Sequence, residues 1–170
     1  MQFKYLRNLS DRVVKDYMHL TNSVLKKDHS IGLVKNLTHK SAKEFLKSKI
    51  SREKSAFLLV YQNSELVGTG YICPSGYQTT KHYCEISKVM VDPDYQGHGT
   101  GRKIMQKLEE KAKQLGFTHV ILDTWDIPHI VLFYEKCGYT IVGRIPEFVK
   151  YKGEYHDCFY FAKKLNKVKY

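Results

Sequence analysis

The first third of the chain combines a short mixed run with two stretches of helical spacing. Gln2–Arg7 predicts a first strand. Asp11 is placed to cap a helix that runs to about Leu25, and Ser41 begins a second helix that reaches Ile50. Between these helices, Lys26–Thr38 has no clear period and predicts a loop or a broken helix.

The pattern then changes to compact apolar runs typical of strands. Ala56–Tyr61 and Leu66–Cys73 are separated by turn residues and predict a hairpin. Tyr83–Val91 predicts a longer strand, rich in Ile, Val and Tyr. Asp92-Pro93-Asp94 ends this strand, because proline cannot donate to a strand ladder.

A helix is predicted from about Gly99 to Leu115, with Gly116 at the position of a C′ glycine. The remaining elements follow in the order strand, helix, strand, strand. They are a strand over Thr118–Asp123, a helix capped by Asp126 that contains Pro128 and ends at Gly138, and two final strands marked by Tyr139–Val142 and Phe159–Ala162, with a hairpin turn at Lys152-Gly153-Glu154.

The order β-α-α-β-β-β-α-β-α-β-β predicts an α/β fold in a single domain that comprises residues 1–170. Tyr83–Asp123 forms one βαβ unit, which should be right-handed and should pair its two strands in parallel. The sequence contains no repeat, linker or second domain.

The formal net charge of +11 favours an anionic partner without selecting one. A basic nucleic-acid-binding module therefore stays open as an alternative, although Lys and Arg are spread along the chain without a known nucleic-acid motif. The four cysteines include no C-x-x-C pair and predict no metal site. Without an apolar leader or a run long enough to span a membrane, the expected location is cytoplasmic, with no membrane partner.

Three glycines at 97, 99 and 101 stand between the end of a strand and the start of a helix. Glycine permits positive φ and lets a ligand approach the backbone, while a helix N-terminus attracts anions. Arg102 adds a full positive charge beside this turn. The spacing matches neither a P-loop nor a dinucleotide fingerprint, so the turn alone predicts an anion site without naming the anion.

Two motifs resemble the GNAT superfamily of N-acetyltransferases. Val91-Asp92-Pro93-Asp94-Tyr95-Gln96-Gly97-His98-Gly99-Thr100-Gly101-Arg102 resembles the family's acetyl-CoA signature [QR]-x-x-G-x-[GA], and Leu132-Phe133-Tyr134-Glu135-Lys136-Cys137-Gly138-Tyr139 is similar to its second motif. An asparagine that many members carry before the tyrosine is absent from Trp125–His129. The resemblance implies the GNAT fold, a mostly antiparallel sheet splayed at a central parallel pair with helices on both faces.

The resemblance also implies acetyl-CoA as cosubstrate, with no metal. The residues expected to bind it are the main chain of the strand exit and the glycine turn, namely Val89, Met90, Val91, Gln96, Gly97, His98, Gly99, Thr100, Gly101 and Arg102. The splay of the strand is expected to turn one N–H toward the thioester oxygen.

Tyr134 is the expected general acid, since a phenol with a pKa near 10 is protonated at neutral pH. Glu85 is the first candidate for the general base through a water molecule, because it lies about 20 Å back along the strand from Val91 at about 3.3 Å per residue. Asp123 is the second candidate, and bulk water is the third. The structural alternative is that Glu85 faces solvent or forms an ion pair with Lys88.

A weaker resemblance extends from Ile141 to Asp157 and is to small-molecule and antibiotic-modifying members, including the tabtoxin-resistance type. It favours a primary amine of a small molecule as acceptor, bound by residues of Asp11–Ile50 and of the final hairpin. Acetylation of a protein N-terminus or lysine, a CoA sensor without catalysis, and a homodimer remain open.

Overall fold

Seven strands form one sheet that carries helices on both faces. A computed structural model describes residues 1–27 and 32–165. The strands are β1 (Gln2–Tyr5), β2 (Ala56–Gln62), β3 (Glu65–Pro74), β4 (Tyr83–Val91), β5 (His119–Trp125), β6 (Thr140–Tyr151) and β7 (Glu154–Lys164). The helices are α1 (Asp11–Lys27), α2 (His39–Ile50), α3 (Thr100–Gln114) and α4 (Pro128–Lys136), with short 3₁₀ turns at Gln78–Thr80 and Pro93–Tyr95.

The predicted element order and mixed sheet are confirmed. The strands lie in the order β1-β2-β3-β4-β5-β7-β6, and β4–β5 is the parallel pair. Parallel pairing joins only Tyr83–Glu85 to His119–Ile121, although β4 continues to Val91 and β5 to Trp125. Beyond Glu85 the two strands therefore separate and leave a gap in the middle of the sheet.

The two faces of the sheet bury separate cores. On one face, Ile104 and Leu108 of α3 pack with Leu58 and Val60 of β2, and α4 contributes to the same core. On the other face, α1 and α2 cover a core to which β2 contributes Phe57 and Leu59. Successive residues of β2 thus alternate between the faces, as the strand period of two requires.

Strand β4 contains a bulge that changes this alternation. Ile86 packs into the α3 core, and so does Val89, three residues later. An unbroken strand would put these two residues on opposite faces. The pairing with β3 shifts at this point, and Lys88 adopts a φ of 54° while its carbonyl accepts a hydrogen bond of 3.0 Å from Thr69 Oγ1. The extra residue thereby reverses the facing of β4 residues before and after it.

Two predicted caps and one predicted helix start are wrong by one to three residues. The Ser10 hydroxyl accepts from the Val13 amide at the start of α1, so Asp11 lies inside the helix. Helix α2 begins at His39 with Thr38 as N-cap, and Ser41 completes a reciprocal capping box. Asp126 does not cap α4, whose N-cap is Ile127, because its carboxylate lies 3.3 Å from His156 Nδ1.

The two final strands are much longer than their apolar runs predicted. The predicted turn is confirmed at Lys152 and Gly153, whose φ values of 49° and 89° suit a two-residue hairpin. Pairing then extends from this turn through largely exposed residues, including a register shift around Pro146 that the sequence did not reveal. Of the predicted Lys26–Thr38 loop, residues 28–31 lie outside the described residues, and Lys27 still belongs to α1.

Gly70→Ala is expected to lower the free energy of unfolding by about 1–3 kcal/mol. A Cβ at this position would lie 2.5 Å from Leu108 Cδ1 and 3.2 Å from Ile104 Cγ2, so these two buried side chains would have to shift within a packed core. Urea denaturation measures the loss. Gly76→Ala is the control, because a Cβ there meets open space, and equal midpoints for the two variants would contradict the prediction.

Candidate active site

A cavity of about 710 Å³ opens where β4 and β5 separate. It extends from the glycine turn before α3 to the α1 and α2 side of the sheet. Its lining includes every residue predicted for the site except His98: Glu85, Val89, Met90, Val91, Gln96, Gly97, Gly99, Thr100, Gly101, Arg102, Asp123 and Tyr134. The candidate cofactor, acid and base residues therefore share one cavity, although they come from four separate elements.

The glycine turn has the backbone geometry of an open anion site. Gly97 and Gly99 adopt φ values of 79° and 76°, and a Cβ on either would meet open space. Gly99 is the N-cap of α3 and supplies no side-chain cap. The amides of the first helical turn consequently have no intrahelical acceptor and retain the positive end of the helix dipole.

The Thr100 side chain is a second indication that a ligand binds at the start of α3. Its Oγ1 atom is buried and forms no hydrogen bond with any described residue, although Thr100 lines the cavity. A buried hydroxyl without a partner is costly, so an acceptor supplied from the cavity would stabilise it. The side chain of Gln96 donates instead to the Val91 carbonyl at 3.1 Å, which closes the turn.

Beyond Glu85, strand β4 exposes main chain toward the cavity. Its pairing with β5 ends at Glu85, so the backbone groups that face β5 from Ile86 onward have no strand partner there. The bulge at Lys88 lies within this stretch, and Val89–Val91 complete it. Free N–H and C=O groups along a strand edge can pair with the amides of an extended ligand, as an added strand would.

The two candidate bases lie on the same face of the sheet. Glu85 pairs with Cys73, which packs against the α1 and α2 core, and Ile121 pairs with Glu85 in the parallel register. Asp123 follows two residues later on β5 and therefore faces the same side. The Cys158 thiol donates weakly to Asp123 Oδ2 at 3.8 Å. No ion pair joins Glu85 to Lys88 in the described part of the chain, although Glu85 acts on Lys88 electrostatically within the same cavity.

Tyr134 reaches the gap from the opposite face. Its ring packs in the α3 core, with its centroid 5.7 Å from that of Phe161 and 6.2 Å from that of Tyr139. Burial raises the pKa of the Tyr134 phenol well above its usual value, and Cys137 and Asp123 act in the same direction. The phenol therefore stays protonated throughout the neutral range, and its pKa responds to Asp123 across the gap.

The sequence did not predict that Lys49, Lys88 and two aromatic residues would line the cavity. Lys49 and Lys88 both line the cavity, as do Trp125 and Phe133. Lys49 belongs to a helix with no motif, and Lys88 enters the site through the bulge, so neither position carried a sequence signal. Phe133 is the neighbour of Tyr134 in the second motif, and a Cβ on Gly101 would lie 3.2 Å from its ring. This contact explains the third glycine of the turn.

A second cavity of about 550 Å³ adjoins the first. The two share Gln96, Trp125 and His129, and the β6–β7 hairpin lines the second through Tyr151 and His156. The Trp125 ring stacks on His156 with centroids 5.6 Å apart. The final hairpin thus walls a space next to the proposed reaction site.

No cluster of three or more metal-ligating side chains lies among the described residues. None of the helices described, up to Leu165, is long and apolar enough to span a membrane.

Comparison with known proteins identifies the family to which this fold and cavity belong. The family model described as "Acetyltransferase (GNAT) family" matches residues 22–139. The IAA acetyltransferase of Azospirillum brasilense is 28% identical over 89 residues, which are 51% of this chain and 56% of that protein. The match thus spans little more than half the length of that relative.

Solved structures share the fold at low sequence identity. The ribosomal-protein-alanine N-acetyltransferase of Brucella melitensis superposes with a TM-score of 0.84 at 16% identity, over 97% of this chain and all of that one. A GNAT superfamily phosphinothricin acetyltransferase of Sinorhizobium meliloti, solved in complex with AcCoA, gives 0.82 at 12% identity over 97% and 89% of the two chains. With the family model covering most of its length, the chain belongs to the GNAT acetyltransferase family.

Proposed function

We propose that this protein transfers the acetyl group of acetyl-CoA to the primary amine of a small molecule, by direct attack in a ternary complex. The observation that carries the proposal is the cavity at the β4–β5 gap. It joins an uncapped, glycine-rich helix start to a partly buried tyrosine and two carboxylates. These are the groups that amine acetylation requires: an anion site, a proton donor and a proton acceptor.

The residues of the turn fit the pyrophosphate of coenzyme A. The amides of the first turn of α3 and the Gly97 backbone would donate to it, and Arg102 would add charge. The buried Thr100 hydroxyl, which has no described partner, fits the same role. Val89–Val91 would hold the pantetheine amides through their free main-chain edge, and an N–H at the bulge would face the thioester oxygen.

Acetyl-CoA would supply an activated thioester whose leaving group is a thiolate. Tyr134 would hold a proton for that thiolate, whose pKa of about 8.5 lies below that of the buried phenol. Because the phenol has the higher pKa, complete transfer of its proton to the free thiolate is uphill, so Tyr134 would stabilise the departing sulfur by a hydrogen bond and partial proton transfer. The phenol would be returned to its protonated state from solvent.

Glu85 would accept the proton of the amine through a water molecule. It stands where β4 and β5 part, on the face covered by α1 and α2, whereas Tyr134 lies on the face of α3. Acid and base would thus approach the reacting atoms from opposite sides of the sheet. Asp123 remains the second candidate, because it faces the same side and its carboxylate influences Tyr134.

The acceptor side supports a small amine. The cavity beside the gap is bounded by the β6–β7 hairpin and by the aromatic stack of Trp125 on His156, which favours a compact ligand. One solved neighbour is a phosphinothricin acetyltransferase and another acts on a ribosomal protein, so a protein N-terminus is the competing acceptor.

The test is a thermal shift with acetyl-CoA, followed by a screen for release of free thiol over small amines and peptides. We expect acetyl-CoA to raise Tm, and thiol release to require a small amine. An unchanged Tm with every acyl-CoA would overturn the proposed cofactor. Release of free thiol with peptides but not with small amines would show that the acceptor is a protein.

Glu85→Gln is expected to lower kcat/KM by about 100-fold near pH 7, the usual scale of general-base catalysis. The deficit should shrink as pH approaches the pKa of the amine, about 10.4 for a lysine-like group, since solvent then removes the proton. A pH–rate profile measures both effects. Asp123→Asn is the matched variant; a loss there with a normal Glu85→Gln profile would make Asp123 the base, and two normal profiles would leave bulk water.

A further inference from the structure

Three lysines line the cavity and have no part in the transfer as proposed; Lys136 of α4 is exposed, whereas the other two are not. Lys49 lies near the end of α2, and Lys88 lies at the bulge of β4. Both side chains are partly buried. Within residues 1–27 and 32–165, neither ammonium forms an ion pair with a carboxylate. Two cations that form no close ion pair, in a cavity that also holds Glu85 and Asp123, favour the binding of a negatively charged group.

The fold holds Lys49 in place. Its carbonyl accepts hydrogen bonds from Ser55 Oγ at 2.8 Å and from Tyr71 OH at 3.3 Å. Its Nζ atom lies 5.1 Å from the centroid of the Tyr71 ring and 5.2 Å from that of Phe45. Because cation–π contacts restrain the ammonium, less side-chain entropy is lost when an anion binds.

Lys88 is held by the backbone. Its φ of 54° is uncommon for a residue other than glycine, and its carbonyl is fixed by Thr69 Oγ1. Burial lowers the pKa of Lys88, and Lys49 lowers it further, while Asp123 and Glu85 act in the opposite direction. The Lys88 ammonium therefore feels the second lysine and both candidate bases. A bound anion would relieve the repulsion between the lysines.

The position of the lysines separates them from the phosphates of coenzyme A. The proposed pyrophosphate site is at the start of α3, on one face of the sheet. Lys49 belongs to α2, which covers the other face of the sheet. Glu85 and Asp123 face the same side. Lys88 precedes Val91 by about 10 Å of strand at about 3.3 Å per residue. Lys49 thus belongs to the acceptor side, and Lys88, which lines the same cavity, lies along β4 away from the proposed pyrophosphate site.

We infer that the acceptor is a small amine that carries an anionic group close to its amino group, and that Lys49 and Lys88 bind this group. A free amino acid is the simplest molecule of this class. This inference rests on the proposed function and specifies its substrate. The charges of the lining would match such a molecule: the carboxylates Glu85 and Asp123 would face the amine, and the two lysines would face the anion.

Matched pairs of amines test the inference. One pair is a free amino acid and its carboxamide, and a second is an amino sugar and its phosphate ester. Thiol release gives kcat/KM for each member. We expect the charged member of at least one pair to react about 10- to 100-fold faster, the scale of one charge-assisted hydrogen bond. The first pair reports a carboxylate preference, and the second reports a phosphate preference.

Lys49→Met and Lys88→Met remove the charge and keep the length of the side chain. Each is expected to lower the ratio of kcat/KM for the charged amine to that for its neutral counterpart about 10- to 100-fold. Lys47→Met is the control, because Lys47 lies on the same helix and is exposed. If Lys88→Met does not fold, Lys49→Met alone decides the test.

Three outcomes would overturn the inference. Neutral and charged members could react equally, both lysine variants could retain wild-type selectivity, or the variants could weaken acetyl-CoA itself, which would assign the lysines to coenzyme A. Binding of the charged amine to the CoA-loaded protein, measured by thermal shift, is the readout independent of transfer. Binding that depends on the lysines, without any acetylation, would overturn the proposed function and leave the anion site standing.

Discussion

The Tyr134→Phe variant is expected to bind acetyl-CoA normally and to lose about 10²- to 10⁴-fold in kcat, the usual contribution of a general acid. The substitution removes only the hydroxyl and leaves the ring contact with Phe161 in place. The ring keeps its packing against Phe161, so Tm should not fall. Steady-state kinetics with thiol detection, together with a thermal shift in acetyl-CoA, separates chemistry from binding.

Tyr139→Phe is the matched control for this variant. Tyr139 neighbours Tyr134 in the same core, is almost fully buried, and is absent from the described lining of the cavity. The Tyr139→Phe variant also lacks one hydroxyl, but we expect it to keep wild-type activity. Full activity in Tyr134→Phe would remove Tyr134 as the acid, and an equal loss in both variants would indicate a packing effect.

Gly99→Ala is expected to raise the Kd for acetyl-CoA about 10- to 100-fold, as expected when a charge-assisted hydrogen bond to phosphate is lost. Gly99 has a φ of 76°, and a new Cβ would enter the open space in front of the helix start. Alanine at positive φ also costs about 1–2 kcal/mol of stability. Isothermal titration of acetyl-CoA measures the affinity directly.

Gly116→Ala is the control that separates a loss of affinity for acetyl-CoA from a loss of folding stability. Gly116 follows the opposite end of α3, has a φ of 89°, and also faces open space. The two variants should lose similar stability, while Gly116→Ala keeps wild-type affinity. Equal affinities in the two variants would remove the glycine turn from the cofactor site.

The sequence predicted the features that depend on local chemistry. The glycine turn, the positions of Gly116 and Gly138 after their helices, and the hairpin turn at Lys152-Gly153 each follow from backbone preferences that neighbouring residues cannot change. The element order and the parallel pair follow from periodicity. Glu85, Asp123 and Tyr134, which the sequence analysis proposed for one active site, line the same cavity.

The remaining features depend on contacts between distant residues. Asp126 has the chemistry of a helix cap, but the carboxylate lies beside His156 of a strand that arrives 30 residues later. The length of β6 comes from its pairing with β7 rather than from its own largely exposed residues. Lys49 reaches the cavity only because α2 packs across the sheet, which no local pattern reports.

The bulge at Lys88 has a consequence for the comparison of relatives. A single inserted residue reverses which side chains of β4 face α3, as the shared packing of Ile86 and Val89 shows. A relative that lacks the insertion would present Glu85 and its neighbours to the opposite side. An ungapped alignment across β4 would then equate residues on different faces, so the gap must be placed at the bulge before acceptor preferences are compared across the family.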